Sequence, residues 1–201
     1  MKKVLCFGDS NTFGYIPVSG KRYDKNTRWT GILTQKLSPD YEVTEAGGNN
    51  RNGFTDSKDG DIFTGYKILP KYLSEKPDIV VLAIGINDVQ KFYKPKLQDI
   101  ENGLTLMSKT ILDSSASLII LAPPILNEDV LKGNFVILFD EGSVELSKSL
   151  PNIYKTVAQK LNCSFIDLNE YVKPSTSDGL HYLPESHKII ADLVFEKISN
   201  L

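Results

Sequence analysis

The chain predicts an α/β fold: a three-layer αβα arrangement on a doubly wound, five-stranded parallel sheet. Short apolar runs alternate with longer amphipathic stretches along 201 residues. Some of these runs are continuously apolar, the pattern of strands buried on both faces. Right-handed crossovers then join parallel strands through helices on either side.

The first strand is Val4–Phe7. Trp29, Ile32, Leu33 and Leu37 recur at helical spacing, and Ser38-Pro39-Asp40 stops that helix. Tyr41–Thr44 forms a second strand. Tyr66, Leu69 and Leu73 mark a helix that has to accommodate Pro70. "DIVVLAIG" (78–85) and "SLIILAP" (117–123) are buried strands, separated by a helix from Leu97 to Leu112. Val144 to Leu161 reads as one helix in spite of Pro151. "SFIDL" (164–168) is the last strand and Glu185 to Ile198 the last helix. Thr12–Thr27 and Leu126–Gly142 lack clear periodicity, and loops that long are usually functional or form interfaces.

The length suits one well-cored domain over 1–201, and 41% hydrophobic with 24% charged residues is ordinary for a soluble globular chain. A net charge of -2 offers no basic field for nucleic acid or anionic lipid. Cys6 and Cys163 fall in apolar runs and read as buried, reduced thiols. The apolar stretch after Lys2-Lys3 is four residues, against roughly 7–15 in a secretory signal. No stretch approaches the roughly 20 apolar residues of a membrane span. A cytoplasmic protein is the expectation.

The unusual polar residues gather where strands end. "GDSN" (8–11) follows the first strand, "EAGGNNRNG" (45–53) the second and "GIND" (85–88) the third. "SDGLH" (177–181) lies between the last strand and the last helix. In a parallel sheet these segments share one rim, where ligands bind. Singly, each has a plain reading: a serine after a strand is most often a helix cap, and Gly and Asn suit turns. Together they offer a reaction. Ser10 is a weak nucleophile that needs a base. His181 can take its proton, and Asp178, three residues earlier, can fix the imidazole tautomer and stabilise the imidazolium. Acyl transfer also builds an oxyanion that needs fixed donors. The backbone N–H of Ser10, a backbone N–H in "GGNNRNG" and the Asn87 amide are candidates.

"GDSN", "GIND" and "DGLH" resemble the block pattern of the SGNH (GDSL-type) hydrolase superfamily. "GDSNTFGYIP", "RWTGIL", "EAGGNNRNGFTD" and "FDEGSVELSK" are similar to its small arylesterase and acyltransferase branch. The resemblance spans the chain. It implies a flavodoxin-like fold and a serine esterase without cofactor or metal, acting on small acyl esters, with Ser10 as nucleophile, His181 as base and acid, and Asp178 as orienter. It implies an oxyanion hole of the Ser10 and Asn50 backbone N–H groups and the Asn87 side chain, with Asp9 and Arg51 as supports. Asn50 stands where the branch has Gly or Ala, and Asn11 where its acyltransferases have an apolar residue. Asn11 therefore bears on acyl-pocket polarity. Phe13, Tyr15, Phe135, Leu138, Phe139 and Leu180 are candidates to line the entrance. In the resembling branch such long loops build homo-oligomers, so the resemblance implies a homo-oligomer. Polar Asn11 and Asn50 would suit a sugar ester, so a carbohydrate O-acetylesterase is the second reading; a non-catalytic binding protein on the same scaffold is the third.

Other chemistries fit poorly. "GDSNT" lacks the final glycine of an α/β-hydrolase elbow. "GYIPVSGK" (14–21) has one residue too many for a P-loop and continues with Arg22 where Ser or Thr is required. No dinucleotide fingerprint follows the first strand. Two histidines and two separated cysteines make a poor metal set. His187, among polar neighbours, is expected on the surface.

Overall fold

Consecutive apolar residues in a strand point to opposite faces, so a strand apolar at every position must be covered twice. The computed structural model, which describes residues 1–201, shows that arrangement. Five parallel strands, β1 (Lys2–Gly8), β2 (Tyr41–Gly47), β3 (Ile79–Ala83), β4 (Ser117–Leu121) and β5 (Ser164–Ile166), pair in the order β2-β1-β3-β4-β5. Leu5, Phe7, Val80, Leu82, Leu118 and Ile120 face one core. Val4, Cys6, Ile79, Val81, Ile119 and Leu121 face the other.

Helices α1 (Ser10–Phe13), α2 (Trp29–Leu37), α3 (Gly65–Leu73), α4 (Leu97–Asp113), α5 (Glu141–Ser147), α6 (Leu150–Lys160) and α7 (Pro184–Ser199) complete the layers. Leu69, Leu104, Ile111, Leu150 and Tyr154 bring α3, α4 and α6 onto the first core. Trp29, Leu33, Ile190 and Val194 bring α2 and α7 onto the second. The chain reverses its winding between β1 and β3, and that switch point opens a crevice at the carboxyl edge. No helix is long and apolar enough to cross a membrane.

Three details depart from the sequence reading. The expected helix from Val144 to Leu161 is two helices, broken at Lys148-Ser149. Pro151 sits in the first turn of α6, where its missing N–H costs no helical hydrogen bond. Cys163 is half-buried rather than buried, while burial drives the Cys6 thiol far above its ordinary pKa. His187 is fully buried on α7: its Nδ1 accepts the Trp29 N–H at 3.3 Å, and the Tyr23 and Tyr182 rings pack edge-on to it.

Candidate active site

Parallel pairing sets Gly8 beside both Gly47 and Ala83, so the turns after β1, β2 and β3 emerge side by side. Gly8 has no room for a side chain: a Cβ there would lie 2.3 Å from the Ala83 carbonyl oxygen. Asp9, not Ser10, caps the following helix by accepting the Asn11 N–H at 2.9 Å. Ser10 thus enters α1 with its hydroxyl free for other work.

That hydroxyl lies 2.9 Å from His181 Nε2, and His181 Nδ1 lies 2.8 Å from Asp178 Oδ2. The other Asp178 oxygen accepts the backbone N–H groups of Leu180 and His181, each at 3.0 Å. All three side chains are buried, with exposures of 4%, 1% and 3% for Ser10, His181 and Asp178. Burial by itself would raise the Asp178 carboxyl. Hydrogen bonds from the His181 ring and from both backbone N–H groups outweigh it and hold the carboxyl below its ordinary value. Tyr15 stacks on the His181 ring at 4.1 Å between centroids, and Phe135 approaches at 5.3 Å.

The two asparagines arrive from the neighbouring turns. Asn87 follows Gly85, whose φ of 124° suits only glycine, in a short 3-10 turn after β3. Its Nδ2 donates to the Arg51 carbonyl at 3.0 Å, and the second N–H on that nitrogen has no protein partner. Asn50 has a φ of 54°, a left-handed conformation that asparagine tolerates. Its backbone N–H donates to no protein acceptor. The turns after three adjacent strands thus offer unpaired donors and a hydrogen-bonded hydroxyl, the parts an acyl transfer needs.

A supporting layer holds these groups. Arg51 donates to the Gly8 carbonyl at 2.8 Å and to the Ala46 carbonyl, and its guanidinium covers the Phe7 ring. Burial lifts the Asp9 carboxyl to about 7, against the opposing pull of the Asn11 N–H and the Arg51 charge. Asp88 accepts the backbone N–H groups of Gly53, Phe54 and Thr55 at 2.6, 2.8 and 2.7 Å and so straps the second loop to β3. Its burial raises its carboxyl despite those bonds. Glu45 on β2 accepts from Arg28 at 2.6 Å and Arg22 at 3.2 Å, while Arg22 also donates to the Phe13 carbonyl at 2.7 Å. This ion cluster pins the 12–27 loop, and with it Tyr15, to the sheet.

Tyr15, Phe135 and Leu138, with Val18 and Ile137, line a mostly apolar cleft of about 320 Å³ that reaches Asp178. The other proposed lining residues lie elsewhere. Phe139 is fully buried in the first core, and the Leu180 side chain is buried in that core as well. Phe13 packs under the Arg22 guanidinium, 4.7 Å from its ring centroid. Asn11 is next to Ser10 on a helix, about 100° around its axis. Its amide donates to the Leu180 carbonyl at 3.3 Å and borders a small internal cavity beside Trp29 and Tyr182, not the cleft. Asn50 likewise turns its side chain away, donating to Asp59 and accepting from Gln90. Sequence reasoning did not single out Gln90, Asp88 or Glu45 for a role. Asp88 stands inside "GIND", but Gln90 has no signal beyond its proximity to that motif.

The GDSL-like lipase/acylhydrolase family model matches residues 4–194. No curated protein sequence gives a significant match. Among solved structures, an aryl esterase from M. smegmatis is similar at 26% identity with a TM-score of 0.93, over 100% of each chain. A carbohydrate acetylesterase from Sinorhizobium meliloti is similar at 26% identity and a TM-score of 0.90, over 100% of this chain and 99% of that one. A lipase/acylhydrolase from Enterococcus faecalis shares the fold at 23% identity and a TM-score of 0.75, over 100% of this chain and 96% of that one. The chain belongs to the GDSL-like lipase/acylhydrolase family and is a carboxylic ester hydrolase.

Proposed function

We propose that this hydrolase cleaves small, short-chain acyl esters of the acetyl type through Ser10, His181 and Asp178, by way of an acyl-enzyme. The unbroken contact from Ser10 Oγ through His181 to Asp178, at 2.9 and 2.8 Å, carries the reading. Ser10 Oγ attacks the ester carbonyl as its proton passes to His181 Nε2. Asp178 holds Nδ1–H and stabilises the imidazolium. The carbonyl oxygen becomes an oxyanion that accepts from the N–H groups of Ser10 and Asn50 and from the free N–H of Asn87. Collapse expels the alcohol, which takes its proton from His181. Water repeats the sequence and releases the acid; an alcohol acceptor in its place gives acyl transfer. No cofactor or metal enters these steps.

We read the cleft that borders Asp178 as the place of the ester's leaving group, and the apolar surface of Tyr15, Val18, Phe135, Ile137 and Leu138 there supports a simple ester over a sugar ester. The second reading, a carbohydrate O-acetylesterase, draws on the likeness to the acetylesterase from Sinorhizobium meliloti. Comparison of initial rates on p-nitrophenyl acetate and on acetylated sugars, with Ser10→Ala as control, decides between them. Faster turnover of the aryl ester supports the first reading, and preference for the sugar supports the second. Turnover retained in Ser10→Ala contradicts both.

Val18, Val136 and Ile137 are exposed on the two long loops, which suits a homo-oligomer built through them. A monomeric mass by light scattering contradicts that assembly. Free Cys6 and Cys163 suit the reducing cytoplasm; recovery of the native enzyme in a secreted fraction contradicts that location.

A further inference from the structure

The turn that carries Asn87 ends at Gln90, which is 0% exposed. A primary amide buried this deeply is costly unless its polar atoms find partners; the Gln90 oxygen has none in the protein, and its N–H groups have two. Gln90 Nε2 donates to Asn87 Oδ1 at 3.0 Å and to Asn50 Oδ1 at 2.8 Å. One side chain thus touches both asparagines of the oxyanion reading, although they lie on different loops.

The orientation of all three amides is forced. A backbone carbonyl only accepts, so the Arg51 oxygen requires the Nδ2 end of Asn87. Asn87 Oδ1 must then face Gln90. A carboxylate also only accepts, so Asp59 requires the Nδ2 end of Asn50, and Asn50 Oδ1 must face Gln90. Two independent anchors therefore demand that Gln90 present its NH2 group, and both of its N–H bonds are used. Rotating the Asn87 amide by half a turn would set oxygen against the Arg51 carbonyl and NH2 against NH2.

We propose that Gln90 is a positioning residue that locks the Asn87 amide and the Asn50 turn in one donor arrangement, so that both aim at the oxyanion before substrate arrives. This rests on the oxyanion reading of Asn50 and Asn87. Donors fixed in advance need no reorganisation as charge develops, which is where such sites gain most of their effect. Neither asparagine can do this alone. Asn87 has a single fixed acceptor in the Arg51 carbonyl, and the Asn50 side chain is held between Asp59 and Gln90. A merely structural Gln90 would support the loop without acting through Asn87.

The test is a double-mutant cycle. Gln90→Glu keeps the shape and, once ionised, replaces the donors by acceptors. It is expected to lower kcat on p-nitrophenyl acetate by about 10- to 100-fold, with KM changed less than about threefold. In an Asn87→Ala background the same change is expected to cost less than about threefold. Gln90→Met, of similar length and without donors, repeats the cycle if Gln90→Glu does not fold. Unchanged kcat in the single variants, or an undiminished loss in the Asn87→Ala background, overturns the proposal. So does failure of both variants to fold, which assigns Gln90 a structural role. If Asn87→Ala itself keeps wild-type kcat, the oxyanion reading fails as well. If Asn87→Ala is slow and Gln90→Glu is fast, only the bridge fails.

Discussion

The two halves of the site are built on different principles. On the side proposed to handle the proton, Ser10 touches His181 at 2.9 Å, across a sequence separation of 171 residues, and His181 touches Asp178 at 2.8 Å. On the donor side, Asn50 and Asn87 make no hydrogen bond to each other, and their positions come from Gln90, Asp59, Asp88 and the Arg51 carbonyl. The physical reason is plain. A proton moves only between groups already in contact, so the reacting side chains also supply the geometry. An oxyanion donor must point at space that a substrate will fill, so its direction has to be imposed from behind. Changes on the first side should therefore damage chemistry with little effect on stability. Changes on the second side should spread into both.

The largest effect after loss of Ser10 belongs to Asp178→Asn. An amide at this position favours the wrong imidazole tautomer, and kcat on p-nitrophenyl acetate should fall by about 10⁴ while the thermal midpoint moves little. A fall smaller than tenfold would show that Asp178 does not orient His181. Next is Asn87→Ala, which removes one donor and should lower kcat by about 10²–10³. Unlike Asp178→Asn, it should leave Asp178 and His181 intact, so the pH profile keeps its shape while its height drops; a displaced profile would couple the two halves. Asp88→Ala strands three backbone N–H groups and is expected to cost on the order of 3 kcal/mol of stability in urea melts. An equally stable Asp88→Ala variant would show that the strap is dispensable.

The smallest effect concerns His187, remote from the chemistry. Burial lowers its ring from the ordinary 6.5 to about 4. The folded protein keeps it neutral, whereas the unfolded chain takes up a proton below about pH 6.5. Its contribution is therefore full above that pH, declines by about 1.4 kcal/mol per unit on acidification and is exhausted near pH 4. Urea midpoints at pH 7 and 5 should differ more for the parent than for His187→Phe. Equal differences would mean that the ring titrates normally when folded.

The same contrast governs what the sequence reveals. The central β3 and β4, buried on both faces, leave continuous apolar runs, and the edge strands β2 and β5 leave short runs between turn signals, so all five were legible. That Ser10, His181 and Asp178 meet was legible because one follows β1 and the others lie between β5 and the last helix, on the same rim. Their contacts follow from the parallel sheet. The lining residues were not legible in the same way. Phe13 and Phe139 lie in segments without periodicity, and Leu180 in the short 177–181 turn, where composition does not say which way a side chain turns. Asn11 was misjudged because adjacency in sequence is divergence on a helix. His187 was misjudged by its neighbours Glu185, Ser186 and Lys188, although Ile190, Ala191 and Val194 follow it at helical spacing on the same buried face. Gln90 was illegible in principle: a buried glutamine has no pattern of its own until its two acceptors are brought together.

The central claim is that Ser10 carries the acyl group. Mass spectrometry of enzyme quenched in acid during turnover of p-nitrophenyl acetate tests it most directly. The account predicts an acetyl adduct on the peptide containing Ser10, absent from Ser10→Ala and accumulating when deacylation is slowed. Turnover with no adduct, or with the adduct on another residue, would contradict it.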